Sequence, residues 1–188
     1  YSDKDEDVHS PGIHGLFWSH VGWILCAKNM PTDENVVRDL AKYPELRFIN
    51  RYHVLVPTLL GVFLFYFGVF LHSAWPSLGV TGFQLLIWGF FVSTVILYHL
   101  TFSINSLAHV FGSRRFDTPD KSRNNAILGL LLMGEGWHNN HHRYPGAESQ
   151  GIFWWEIDIT HYILKGLSFL GVVWELRKPP ETAHASAS

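Results

Sequence analysis

Two uncharged apolar runs dominate the pattern of the chain, and mixed aromatic and polar segments flank them. Residues 54–71, VLVPTLLGVFLFYFGVFL, carry no charge and reach the roughly 18 apolar residues that a membrane-spanning helix requires. Pro57 falls in the first predicted turn, where its missing N–H costs little, and glycines are tolerated in helices that sit in lipid. A second run, 80–102, contains His99 as its one group titrating near neutrality and is also long enough to span. The link HSAWPSLG at 72–79 is short and rich in turn formers, so the two spans are predicted to form a hairpin. Arg47 and Arg51 precede the first span, Arg114 and Arg115 follow the second, and the link has neither Lys nor Arg. The positive-inside rule therefore places both ends of the hairpin in the cytoplasm.

Other segments interrupt their apolar runs. Residues 12–25, GIHGLFWSHVGWIL, and 152–174, IFWWEIDITHYILKGLSFLGVVW, are predicted as helices lying at the lipid headgroup boundary. A third span over 152–174 is disfavoured by Glu156, Asp158, His161 and Lys165. RRFDTPDKSRNN at 114–125 reads as a polar loop, and residues 179–188, rich in Pro, Ala and Ser, as a disordered tail. The expected fold class is an all-α membrane protein: a transmembrane helical hairpin with cytoplasmic interfacial helices, in one domain over 1–178.

Composition sharpens this picture. The chain is 47% hydrophobic and 16% charged, against a usual charged fraction of about 25%, so its surface suits lipid better than water. A net charge of −2 without a basic run excludes a nucleic-acid partner. Cys26 is the only cysteine, which excludes an intramolecular disulfide and a Cys-rich zinc or iron–sulfur site. Twelve histidines are the anomaly, because neutral imidazole suits iron, zinc, copper or nickel.

The histidines concentrate where the chain reads GEGWHNNHHRYP, residues 134–145. If this segment is helical, spacings of three and four residues stack His138 with His141 and His142, so their rings can converge on one point. Histidine patches on surfaces are common, but this one is set among Gly, Trp and Tyr and belongs to an ordered segment. At the end of the second span, in TFSINSLAHVFG, Asn105 and His109 are four apart and share a helix face. With no further span between them, His109 and the triplet lie on one side of the membrane. Four imidazoles also suffice for one tetrahedral zinc site, although HExxH is absent. Glu135 is placed either to orient a ligand imidazole or to make a structural charge contact.

GEGWHNNHH resembles the third histidine box of the membrane-bound fatty acyl desaturases, the stearoyl-CoA desaturase family. NSLAH at 105–109 resembles the family's additional ligand motif, and SDKDEDVHSP at 2–11 with GLFWSHVGWIL resembles the segment following its second box. The likeness runs from Tyr1 to about Lys178. In the family a first HxxxxH box and a second HxxHH box lie upstream of the SDKDED segment. The chain is therefore expected to correspond to the C-terminal part of a desaturase, with an incomplete ligand set and no activity alone.

The resemblance implies a fatty acyl desaturase of the Δ9 type, inserting a cis double bond with O2 as co-substrate at a centre of two iron ions. It assigns His109, His138, His141 and His142 as iron ligands, and Asn105 as a ligand through a water. Removing hydrogens from unactivated methylenes lies beyond any side-chain acid or base, so a redox metal is needed. Lys28 resembles a position that contacts the acyl carrier, though Ala27 replaces the basic residue expected beside it. The acyl group can arrive on CoA, on a carrier protein or in a membrane lipid. With no cytochrome or flavin motif present, electrons are expected from a separate donor such as a ferredoxin or cytochrome b5. His9, His14, His20, His53, His72, His99, His161 and His184 match no box and have weaker claims; His20 is expected to pack or hydrogen-bond, and His99, inside a span, is a minor candidate for a role behind a ligand or at a haem. A related diiron membrane hydroxylase, or a non-enzymatic zinc- or haem-binding membrane module, is the competing reading.

Overall fold

The architecture is that of a computed structural model, which describes residues 2–185. Among these residues all regular structure is helical, interrupted only by the isolated bridges Ser113–Asn124 and Asn124–Trp137. The chain forms two compact units, one of residues Ala27–Tyr98 and the other of Tyr1–Cys26 with His99–Ser188.

In the first unit, α1 (Pro44–Arg51) precedes the long helix α2 (Leu55–Ala74). After the link, helical backbone runs over Gly82–His109, here α3, and both α2 and α3 are long and apolar enough to cross a membrane. Thr81 starts α3 with a reciprocal cap: its hydroxyl accepts from the Gln84 N–H, and the Gln84 side chain accepts from the Thr81 N–H. The two helices meet at Gly68 and Gly82, where a Cβ on Gly68 would fall 2.6 Å from the Thr81 carbonyl oxygen. Small residues let helix backbones approach closely in lipid, where apolar burial supplies no drive for association. Large side chains such as Phe63, Tyr66 and Trp88 are exposed, as lipid-facing residues should be. The helices begin within two residues of the expected starts and extend past the expected ends. At its far end α3 passes Phe102 because Ser103 and Ser106 bond back to the carbonyls of His99 and Phe102, absorbing polar side chains without breaking the helix. A 3-10 turn, Leu107–His109, then closes it.

The second unit has only a small apolar core, in which Ala108, Leu128 and Leu132 pack with Leu100, Ile104 and Leu107. Its helices are α4 (Ala126–Leu131), capped by Asn125; α5 (His138–Arg143); and α6 (Ile159–Phe169), capped by Asp158. The flanks depart from the expected interfacial helices. Over 12–25 the helix is broken at Gly15 into one turn, Pro11–His14, and a short helical run over 16–22 that ends in the π-helix Trp18–Gly22. In 152–174 the helix is confined to α6, too short to span. The reason is that Glu156 is buried: its carboxylate accepts from the N–H groups of Ile152 and Phe153 and from Arg115, fixing a turn before Asp158 can start the helix. In the segment expected to be disordered, Thr182–Ala185 forms a helical turn with Ala183 buried, while residues 186–188 lie outside the described ones.

Candidate metal centre

The third-box segment is held by close backbone approach. Gly134 has φ +124°, and a Cβ there would lie 2.3 Å from the Asp158 carboxylate; a Cβ on Gly136 would lie 2.0 Å from the Gly129 nitrogen. Both glycines of GEG are therefore required for α5 to begin where it does.

Between the histidines, Asn139 and Asn140 are almost fully buried and bind the polar loop 114–125 to α5. Asn139 accepts from the N–H groups of Arg115 and Phe116 through its Oδ1 and donates from Nδ2 to the Phe116 carbonyl. Asn140 accepts from the Arg115 guanidinium and the Asn124 amide, and donates to the Gln150 carbonyl and to Glu156. The Asn124 Oδ1 in return accepts from the N–H groups of Asn139 and Asn140, taking up orphan donors in the first turn of α5. Their buried polar groups are thus satisfied by partners distant in sequence, which fixes the helix and the direction of its histidines.

His109, His138 and His142 converge. The Nε2 of His138 lies 3.1 Å from the Nε2 of His109 and 3.0 Å from the Nε2 of His142. Behind them stand two carboxylates: the Nδ1 of His109 is 2.6 Å from Asp3 Oδ2, and the Nδ1 of His142 is 2.7 Å from Asp120 Oδ2. Burial alone would raise these acids, but bonds from the Lys121 N–H, His109 and Ser10 hold Asp3 below its ordinary value. Likewise Ser122 and His142 outweigh burial at Asp120 and bring it down to about 2. Both are anions that can only accept, so each paired Nδ1 carries hydrogen and the Nε2 of each ring is the nitrogen that faces His138. His138 is driven down to about 2 by burial and then by His142, His109 and His141, and is neutral.

This arrangement tests the site for a metal. A neutral His138 has one ring hydrogen. On Nδ1 it would be a buried donor with no partner; on Nε2 it would leave a buried Nδ1 acceptor unpaired. The three Nε2 atoms lie within 4.8 Å of one another, a grouping that can hold a metal ion at their meeting point. The donor set fits iron or another imidazole-binding metal. His141 lines the same cavity of about 300 Å³, stacked 5.8 Å from the His138 ring, and does not join the tight group; Asn105 also lines it.

Other expected residues fall elsewhere. Glu135 accepts from Gln150 and makes no bond to a converging imidazole; the orienting role goes to Asp3 and Asp120. Lys28 is an exposed residue of the other unit. His20 bonds to Ser106 and, through its other nitrogen, to His99. Sequence reasoning missed Asp3, Asp120, Asn139 and Asn140; the acidic run at 3–7 was the one local hint of the first.

With this geometry in hand, comparison with known proteins is informative. A fatty acid desaturase family profile matches residues 1–171. The sn-1 stearoyl-lipid 9-desaturase of Synechocystis is 36% identical over 99% of this chain and 54% of its own length. The chloroplastic palmitoyl-monogalactosyldiacylglycerol delta-7 desaturase of Arabidopsis thaliana is 35% identical over 96% of the chain and 46% of its length. The acyl-CoA C20 Delta5-desaturase of Anemone leveillei is 36% identical over 96% and 54%. The chain spans about half the length of these relatives. Its sequence, its apolar helices and its histidine cluster agree that it belongs to the fatty acid desaturase family.

Proposed function

We propose that the protein is an O2-dependent fatty acyl desaturase that inserts a cis double bond at the Δ9 position, with two iron ions held in part by His109, His138, His141 and His142. The observation that carries this reading is the meeting of three imidazole Nε2 atoms, two of them aligned by buried carboxylates, in a family whose named members desaturate acyl chains. Iron bound there supplies the oxidising power with which O2 removes hydrogens from unactivated methylenes. The residues of this chain orient donors and limit water. Asp3 and Asp120 fix the ring tautomers, Asn139 and Asn140 fix the helix, and Asn105 offers an amide to the cavity, to act through a water. Three converging nitrogens with His141 beside them are fewer than two iron ions require, so this reading calls for further donors beyond these residues.

The relatives' names cover lipid-linked and CoA-linked substrates; Lys28 is the candidate contact for a carrier. Electrons come from a separate donor protein of the ferredoxin or cytochrome b5 kind. The arginines flanking the hairpin support a cytoplasmic site, so a cysteine at exposed Ser77 should react with an impermeant thiol reagent outside the cell, and one at exposed Asp117 should not.

The test of function is gas chromatography of fatty acids from a host lacking its own membrane desaturase, expressing the chain or its His138→Ala variant together with the part that supplies the further donors, and metal analysis of the same protein. A new cis monoene that vanishes in the variant is expected. A hydroxylated product would favour the hydroxylase reading, and zinc in place of iron would favour a non-enzymatic module.

A further inference from the structure

His9 belongs to no histidine box, yet the structure places it in the wall of the cavity that His109, His138 and His142 line. Its ring Nδ1 is paired with Asp7, whose side chain is only 5% exposed. The same carboxylate accepts from the backbone N–H groups of Asp3 and His9, so it is pinned on three sides and cannot swing away. The Asp7 bond commits the Nδ1 position of His9 to hydrogen and leaves Nε2 as the nitrogen that exchanges a proton. Trp23 meets the ring edge-on with centroids 5.1 Å apart, fixing its plane. His9 is 31% exposed, compared with 6% for His109 and 18% for His142, and its nitrogens are not part of the converging group. It is an imidazole held by a buried carboxylate, open both to the cavity and to solvent, and free of the proposed metal.

We infer that His9, positioned by Asp7, is the proton-transfer group of this cavity. The inference rests on the desaturase reading. Forming one double bond with one O2 breaks two C–H bonds and yields two waters, and the balance requires two electrons and two protons from outside the substrate. The electrons come from the one-electron donor protein. The protons must cross from solvent into a cavity whose other imidazoles have their lone pairs committed to the metal. His9 gives up its Nε2 proton as an O–H bond forms in the cavity and regains one from the solvent side, while the Asp7 carboxylate stabilises the imidazolium between transfers.

The experiment follows proton uptake without turnover. The iron-loaded holoprotein is reduced anaerobically with reduced methyl viologen, a one-electron donor that releases no proton on oxidation, in a stopped-flow instrument, with a pH-indicator dye reporting the protons taken up. His9→Gln should slow that uptake by roughly 100-fold with its iron content unchanged, and added imidazole should restore it. Asp7→Asn, which keeps one of the two oxygens that accept from backbone N–H groups and removes the charge, should slow it less; it also decides the matter if the His9 variant fails to fold. Uptake at the wild-type rate in both variants, or loss of iron from His9→Gln, would overturn the inference while leaving the desaturase reading intact. A wild-type protein that binds no iron would overturn both.

Discussion

In the hairpin unit the exposed side chains include Phe63, Tyr66, Phe70 and Trp88, whereas in the site unit the largest fully buried ones include Asn139, Asn140, Ser106 and Ser122. One unit is apolar on its outside and the other polar on its inside. The hairpin satisfies its backbone within each helix and leaves its side chains to lipid, so its cohesion rests on length, hydropathy and a close glycine contact. The site unit has little apolar core, and its cohesion rests on hydrogen bonds among loop 114–125, α5 and Glu156. Changes that are severe in one unit should therefore be mild in the other.

The largest separation is expected from His138→Ala. Removing the imidazole shared by both close Nε2 contacts should abolish metal binding, measured as iron per holoprotein. The helices α2 and α3 should remain inserted, measured by protease protection of the membrane-embedded protein. Iron retained at the wild-type level would break the assignment.

Asn140→Ala tests the polar interior. It leaves the Asn124 amide and the Arg115 guanidinium each short of an acceptor, and should destabilise the site unit by about 2–3 kcal/mol in thermal or denaturant unfolding. Phe63→Leu, an apolar change on an exposed position of α2, should stay within about 0.5 kcal/mol in a bilayer. Equal losses from the two changes would remove the distinction.

Asp120→Asn and Asp3→Asn probe the orienting carboxylates. Each should weaken metal binding by roughly 10–100-fold, read by competition with a chelator, because the ligand ring loses its charged partner but keeps its place. Gly68→Val probes the other unit: its side chain would meet the Thr81 backbone, and overpacking should cost about 1–3 kcal/mol of hairpin stability with no change in metal affinity.

A graded loss, confined to the site unit, is expected from pH. His138 is held near about 2 in the folded metal-free protein against an ordinary 6.5, so the unfolded chain binds more protons throughout that window. Stability is then fully present above 6.5 and declines as the pH falls below it, by at most about 1.4 kcal/mol per unit. Asp120, lowered from 3.8 to about 2, adds a loss in the same direction at still lower pH. A metal-free protein whose unfolding midpoint is flat between pH 7 and 5 would contradict the burial of His138.

The sequence by itself determined what is local. Hydropathy and length located both spans, since a helix in lipid needs only its own residues to satisfy its backbone. Spacings of three and four brought His138 and His142 to one helix face. The motif GEGWHNNHH was specific enough to point to the family. Only the tertiary structure decided what depends on the path of the chain: Asp3 reaches His109 across 106 positions and Asp120 reaches His142 across 22, and no periodicity encodes such pairings. Glu135, near in sequence, was passed over for these distant acids, and His141 turned aside from the tight group although it shares the motif. The asparagines of HNNHH read as spacers, but burial made them the bonds that hold α5. Residues 152–157 read as an amphipathic face until Glu156 was found inside, paired with Arg115. In each case the deciding energy is the cost of leaving a buried polar group unpaired, and that cost is set by which segments meet in space.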